Sequence, residues 1–296
     1  MDASVIDPQT RAPLPASFSV RQVTPAIGAE IGDIDLRQPL DDATYRALRA
    51  ALVQYKVLFF RDQDITPAQH IALARRFGEL EVNPAIPHHP DHPELALLGG
   101  DSSQKARENA WHTDTSWRER PSMASMLRCV ECPPLGGDTL WVNMAAAYEN
   151  LPQEWKDRIQ GLVAVHDIMP FLGQRMAPEL RAANRAKFPP VEHPVVRTHP
   201  ESGEKILYIS RAFVTHLMNW SELSRSRSGI DMMLREQLID YLCNQAMVPE
   251  YQVRLKWRPN TIAFWDNRAT QHYAVSDYYP QVRRMQRATI VGDRPV

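Results

Sequence analysis

Cysteine is scarce in this chain: Cys129, Cys132 and Cys243 are the only three among 296 residues. So small and odd a number argues against a disulfide framework and predicts a reducing, cytoplasmic setting. Cys129 and Cys132 form a C-x-x-C, but no second such pair exists to complete a zinc site, so two unpaired thiols are expected. An excess of one charge is also missing. With 34 basic against 35 acidic residues the net charge is −1, and no global field draws the protein to nucleic acid or to an anionic membrane. A local cationic pocket remains allowed. Long hydrophobic runs are absent as well; Val57-Leu58-Phe59-Phe60 falls far short of the ~20 apolar residues that span a bilayer. The opening MDASVIDPQT has neither a basic start nor an apolar core, which predicts no secretory signal. No repeat, low-complexity tract or Gly/Ser linker divides the chain. A flexible polar tail over residues 1–16 and one domain over 17–296 are expected.

Apolar periodicity predicts three helices. Residues 43–54 put Tyr45, Leu48 and Leu52 on one face behind Asp41 or Asp42 as N-cap. Thr66-Pro67 opens a second helix that Gly78 stops, and 230–245 carries Leu234, Leu238, Tyr241 and Leu242 at helical spacing. Short β-type runs fill most of the rest: 56–60, 123–130, 139–142, 162–166, 194–198, 205–209, 252–257, 261–265 and 284–291. Residues 81–110 show no sustained period and read as a long surface loop, and 168–190 reads as a second lid-like excursion. The coarse picture is mainly β with flanking helices, its sheets packed as a sandwich or a double-stranded β-helix (jelly-roll) core.

The most informative stretch is Trp111-His112-Thr113-Asp114. Side chains alternate along an extended chain, so His112 and Asp114 would project to one face, where an imidazole and a carboxylate can take adjacent positions on a metal. A third ligand on the same octahedral face completes a two-His-one-carboxylate set and leaves three positions open, which oxygenase chemistry needs. H-x-D alone is weak, and His89-Pro90-Asp91 is a second instance, less suited because proline interrupts a regular ladder. His88, His89 and His92 read as solvated loop residues that could also line the mouth of the site. His272 follows an apolar strand and an Asp266-Asn267 turn signal; by itself it reads as a satisfied core histidine. Arg283 and Arg287 lie four apart and would share one strand face, or else join Arg284 in a solvated basic cluster.

The ordered set of Trp111–Asp114, Gly136-Gly137-Asp138-Thr139-Leu140-Trp141, Trp265-Asp266-Asn267-Arg268-Ala269-Thr270-Gln271-His272, Arg283 and Arg287 resembles the taurine dioxygenase/TfdA family over roughly residues 18–294. The resemblance implies a dioxygenase that uses Fe(II), O2 and 2-oxoglutarate as co-substrate, with His112, Asp114 and His272 on the iron. It further implies that Thr139 and Arg283 hold the distal carboxylate of 2-oxoglutarate, which a guanidinium grips through paired charge-assisted hydrogen bonds. Arg287 would meet an anionic substrate, such as a sulfonate like taurine, a sulfate ester or an aryloxy carboxylate. Hydroxylation would be coupled to release of succinate and CO2, and a homo-oligomer is expected from the family alone. Where sulfonate-using relatives carry a histidine and a tyrosine, this chain has Asn83 and Ile86, which suggests a more apolar substrate body. Trp117 and Phe171 are further candidates for that pocket. The rival readings are a cupin-like metalloenzyme that is not an oxygenase, and a ligand-binding β-sandwich with no catalysis.

Overall fold

The computed structural model describes residues 17–82, 86–100, 109–169, 177–220 and 230–296. Its helices are α1 (Asp42–Tyr55), α2 (Pro67–Arg75), α3 (Met144–Glu149), α4 (Gln153–Ile159), α5 (Pro178–Lys187) and α6 (Ile230–Asn244). The first half of the strands comprises β1 (Ser19–Gln22), β2 (Ala29–Gly32), β3 (Val57–Phe60), β4 (His88–His89), β5 (His92–Gly100), β6 (Ser122–Glu131), β7 (Thr139–Asn143) and β8 (Val163–His166). The second comprises β9 (Val191–Pro194), β10 (Val196–Thr198), β11 (Lys205–Leu207), β12 (Val214–Leu217), β13 (Gln252–Leu255), β14 (Ile262–Asp266), β15 (Thr270–Ala274) and β16 (Arg283–Val291). No helix among the described residues is long and apolar enough to cross a membrane.

Eight strands form one sheet in the order β1-β2-β3-β14-β6-β16-β5-β4, and β13-β7-β15 form a smaller one. Alternation decides what each face carries. Leu58, Phe60, Ile262 and Phe264 point one way, to meet Leu48, Leu52, Ile71 and Phe77 at the two N-terminal helices. Val57, Phe59, Ala263 and Trp265 point the other way and pack with Trp141, Val253, Leu255 and Trp257. Strands buried on both faces read as continuous apolar runs, which is why VLFF and IAFW stand out in the sequence. The second interface is the expected jelly-roll core, two sheets packed face to face. Each fully buried aromatic or branched side chain there contributes roughly 1.5–3 kcal/mol relative to exposure.

Local chemistry sets the helix starts as anticipated, although α2 ends at Arg75, short of Gly78. Asp41 caps α1 by accepting from the Thr44 amide, and Thr66 with Gln69 makes a capping box ahead of Pro67. Several expectations need correction. The supposed loop over 81–110 contains a β4–β5 hairpin, and residues 95–100 of the nine-residue β5 pair along β16. Its Pro- and Gly-containing sequence hid a strand whose register comes from its partner. The run 194–198 is not one strand: the chain breaks at Val195, and β9 and β10 belong to different sheets. The excursion at 168–190 includes α5, which buries no side chain and is polar almost all round. Leu234, placed on the apolar stripe of α6, is 39% exposed, while Leu238 and Leu242 are buried as expected. The expected tail lies outside the described residues.

Candidate metal centre

The turn between β14 and β15 carries the chain from the large sheet to the small one. Asp266, fully buried, ties that turn by accepting from the Arg268 amide at 2.9 Å, from its Nε at 2.9 Å and from its Nη2 at 2.7 Å. His199 Nε2 lies 3.0 Å from the second carboxylate oxygen. Burial would raise this carboxyl, but Arg268 and His199 hold it far below the usual carboxylate range. The turn delivers His272 to β15. There its backbone exchanges two hydrogen bonds with His112, at 2.8 and 3.1 Å, and the Thr113 hydroxyl donates to Thr270 O at 2.9 Å. Two chain segments are thus zipped side by side through backbone bonds.

His112 and Asp114 come together, but not by alternation along a strand. His112 makes a single β-bridge and Asp114 already begins a turn, with Thr115 at φ 53°. The turn is stabilised by the Ser122 amide donating to Thr115 Oγ1 at 2.9 Å. The result serves the same end. Asp114 Oδ1 lies 3.7 Å from His112 Nε2 and 3.9 Å from His272 Nε2. One ligand atom from each of the three residues falls within a 4.8 Å span. It is the only such grouping of His, Cys, Asp or Glu among the described residues, so His89 and Asp91 form no rival site. The His89 and His92 rings instead face each other 5.0 Å apart in the β4–β5 hairpin.

The supporting contacts fix this orientation. His112 Nδ1 lies 2.8 Å from Ala110 O, which leaves Nε2 facing Asp114. Ser125 donates to Asp114 Oδ2 at 2.9 Å; Asn267 donates to both Ser122 and Ser125, and Trp265 Nε1 in turn fixes the Asn267 amide. Burial, then the neighbouring His112, pushes His272 down to about 3, so its imidazole is neutral at ordinary pH and one ring nitrogen keeps a free lone pair. Burial would also raise Asp114, but Arg287 and the two imidazoles hold it far below its ordinary range. Two imidazoles and one carboxylate match the donor set of a ferrous site with open positions.

The arginines separate by strand alternation. Arg283 and Arg287 are 4% and 8% exposed, whereas Arg284 faces solvent and pairs with Glu131. Arg283 Nη2 is 3.4 Å from the Thr139 hydroxyl, which also accepts from Trp257 Nε1 at 3.0 Å. Gly137 (φ 70°) makes room here: a Cβ would approach Arg283 Cδ to 3.1 Å, and its amide donates to Asp277. Arg287 Nη1 donates to Asp114 Oδ1 at 2.7 Å, a contact its spacing from Arg283 did not foretell.

Trp117 is buried in an apolar cluster with Ile168, Ala212 and Phe213, with Phe188 packed against it. Phe213 meets the His112 ring edge-on at 6.1 Å. Neither phenylalanine stands out in sequence, because nothing local distinguishes a pocket aromatic from a core one. Ile86 is half-buried, and Asn83 and Phe171 lie outside the described residues.

Residues 19–289 match the family model described as taurine catabolism dioxygenase TauD, TfdA family. An alpha-ketoglutarate-dependent sulfate ester dioxygenase of Pseudomonas putida is 37% identical, covering 96% of this chain and 93% of that protein. An alkylsulfatase of Acinetobacter baylyi is 36% identical over 93% of this chain and 86% of its own length. Among solved structures, a taurine dioxygenase from Burkholderia xenovorans superimposes with a TM-score of 0.79 at 36% identity, covering 95% of this chain and 91% of that one.

Proposed function

Since this chain belongs to the TauD, TfdA family and is an Fe(II)- and 2-oxoglutarate-dependent dioxygenase, we propose that it oxidises small organic sulfate esters or sulfonates at a centre made by His112, Asp114 and His272. Membership removes both rivals, the non-oxygenase metalloenzyme and the non-catalytic sandwich. The convergence of the three side chains on one point, with buried arginines beside them, is the observation that carries the assignment. When bound, the iron with 2-oxoglutarate supplies O2 activation and C–H oxygenation, releasing succinate and CO2.

The chain's own groups do the binding and orienting. Arg283 and Thr139 hold the distal carboxylate of 2-oxoglutarate, a buried cation beside a hydroxyl. Arg287, four residues along β16 on the same face, meets the anionic head of the substrate while also bonded to Asp114. Trp117, with Phe188 and Phe213, contacts the organic body and keeps water from it. A sulfate ester is favoured because the Pseudomonas putida relative is a sulfate ester dioxygenase and the Acinetobacter baylyi relative an alkylsulfatase. Hydroxylation of the carbon bearing the ester oxygen gives an unstable adduct, which breaks its C–O bond to leave an aldehyde and sulfate.

The test is turnover of hexyl sulfate, taurine and phenoxyacetate with Fe(II), ascorbate and 2-oxoglutarate. Succinate, hexanal and sulfate should form in equal amounts from the first compound. No succinate above background with any organic anion would sink the reading. An Arg287→Ala variant that turned over short sulfonates at full efficiency would remove Arg287 as the anchor.

A further inference from the structure

Glu81 and Arg118 stand beside the three converging residues yet belong neither to them nor to the Arg283 pocket. Glu81 follows the isolated pairing of Leu80 with Ile290, and its amide donates to Thr289 O at 2.8 Å. Its side chain is only 9% exposed, and it interacts electrostatically with Arg287 and Asp114. Arg118 comes from the opposite side, on the turn that follows Asp114, its amide bonded to Thr115 O at 2.9 Å. Its guanidinium sits 4.8 Å from the Trp117 ring and 5.4 Å from the Phe188 ring, on the rim of the apolar cluster. Nη2 of Arg118 lies 2.7 Å from Glu81 Oε1. One nearly buried carboxylate is therefore paired with Arg118 and lies within the field of Arg287, at the wall where an organic anion is assigned.

We propose that Glu81 is a specificity-determining internal anion, which holds Arg118 and screens Arg287 until the head group of an organic substrate takes over those cations. This rests on the organic-anion reading above and deepens it. Guanidiniums in a low-dielectric pocket would bind small inorganic anions indiscriminately. A tethered carboxylate competes at an effective concentration in the millimolar range or above, which a free ion must exceed to displace it. An alkyl or aryl sulfate gains a further advantage of about fourfold in affinity per buried methylene against Trp117 and Phe188. Organic sulfates are accepted and inorganic sulfate is refused.

Calorimetric titration of hexyl sulfate and of inorganic sulfate into the anaerobic Fe(II)–2-oxoglutarate protein tests this. The wild type should bind the first and not the second. Glu81→Gln, which keeps the shape and a hydrogen bond, should bind hexyl sulfate about tenfold tighter and make inorganic sulfate binding measurable; Arg118→Gln should weaken hexyl sulfate about tenfold. The opposite signs are diagnostic. If both variants weaken binding together with a fall in Tm, the pair is an ordinary structural bridge and the proposal is overturned, as it is if neither changes Kd. A wild type that binds neither ligand overturns this proposal and the organic-anion reading together. Binding of hexyl sulfate without turnover sinks only that reading and leaves the sign test in force.

Discussion

At Asp114 one carboxylate oxygen faces Arg287 and the two imidazoles, while the other accepts from Ser125. Asp114→Ala should abolish Fe(II) binding, and it takes from the buried Arg287 guanidinium its hydrogen-bonded anion, with only Glu81 to screen it. Removing one partner of such a buried pair costs about 3–5 kcal/mol, so the metal-free variant should unfold at clearly lower urea. An unchanged urea midpoint would show that Arg287 finds another partner. Acid sensitivity belongs to this scale too. His70 is fully buried on α2, and burial pushes it down to about 4 from an ordinary 6.5. Its unfolded form therefore takes up a proton first on acidification. The stabilisation is complete above pH 6.5 and is lost as pH falls toward 4, by on the order of 3 kcal/mol. His70→Gln should flatten the stability profile in that window, as urea midpoints between pH 4 and 7 would reveal. His112 and Asp114 were legible from their spacing, whereas His272 and the burial of both arginines came only with the family resemblance. The Asp114–Arg287 bond was not legible, because 173 positions separate the two residues and only the pairing of β16 with β6 brings them together.

Elements with strong local signals were read well: α1 and α2 from caps and spacing, β3, β6 and β14 from continuous apolar runs. The misses share a cause. β5, β12 and β15 are strands because a partner supplies their hydrogen bonds, and their own residues, mixing Gly, His and Gln, argue weakly. Two glycines of β5 and the loops show how much a neighbour decides. Gly99 has φ 130°, and a Cβ there would lie 1.9 Å from Arg283 O. Gly99→Ala should cost several kcal/mol and raise the KM for 2-oxoglutarate, because β16 must shift where it carries Arg283. Gly161→Ala, at φ 74° with open space around it, should cost only about 1 kcal/mol and leave KM alone. Equal losses from the two substitutions, measured by urea unfolding, would contradict this account. In the β14–β15 turn, Asp266→Ala takes a fully buried anion from His199 and from Arg268, which keeps Glu201 at 2.6 Å. It should destabilise by at most about 3–5 kcal/mol and weaken Fe(II) binding in a dialysis assay, since His272 is placed by that turn.

Across the whole molecule, the three candidate ligands sit where two sheets are joined, so occupancy of the centre should be felt globally. Fe(II) with 2-oxoglutarate at a hundred times Kd stabilises by about 2.7 kcal/mol, which should raise Tm by about 4 °C. His112→Ala should show no such rise in a thermal-shift measurement.

The zipping of residues 112–114 to residues 270–272 spans 157 positions at the Thr113–Thr270 bond. During synthesis the early half of the centre emerges with its histidine and carboxylate long before their third companion is translated. Iron can be captured firmly only after the C-terminal strands have docked, so metal uptake is a late event that checks a finished chain and does not guide an unfinished one. Refolding in the presence of Fe(II) should proceed at the same rate as in its absence, while unfolding of the loaded protein is slower.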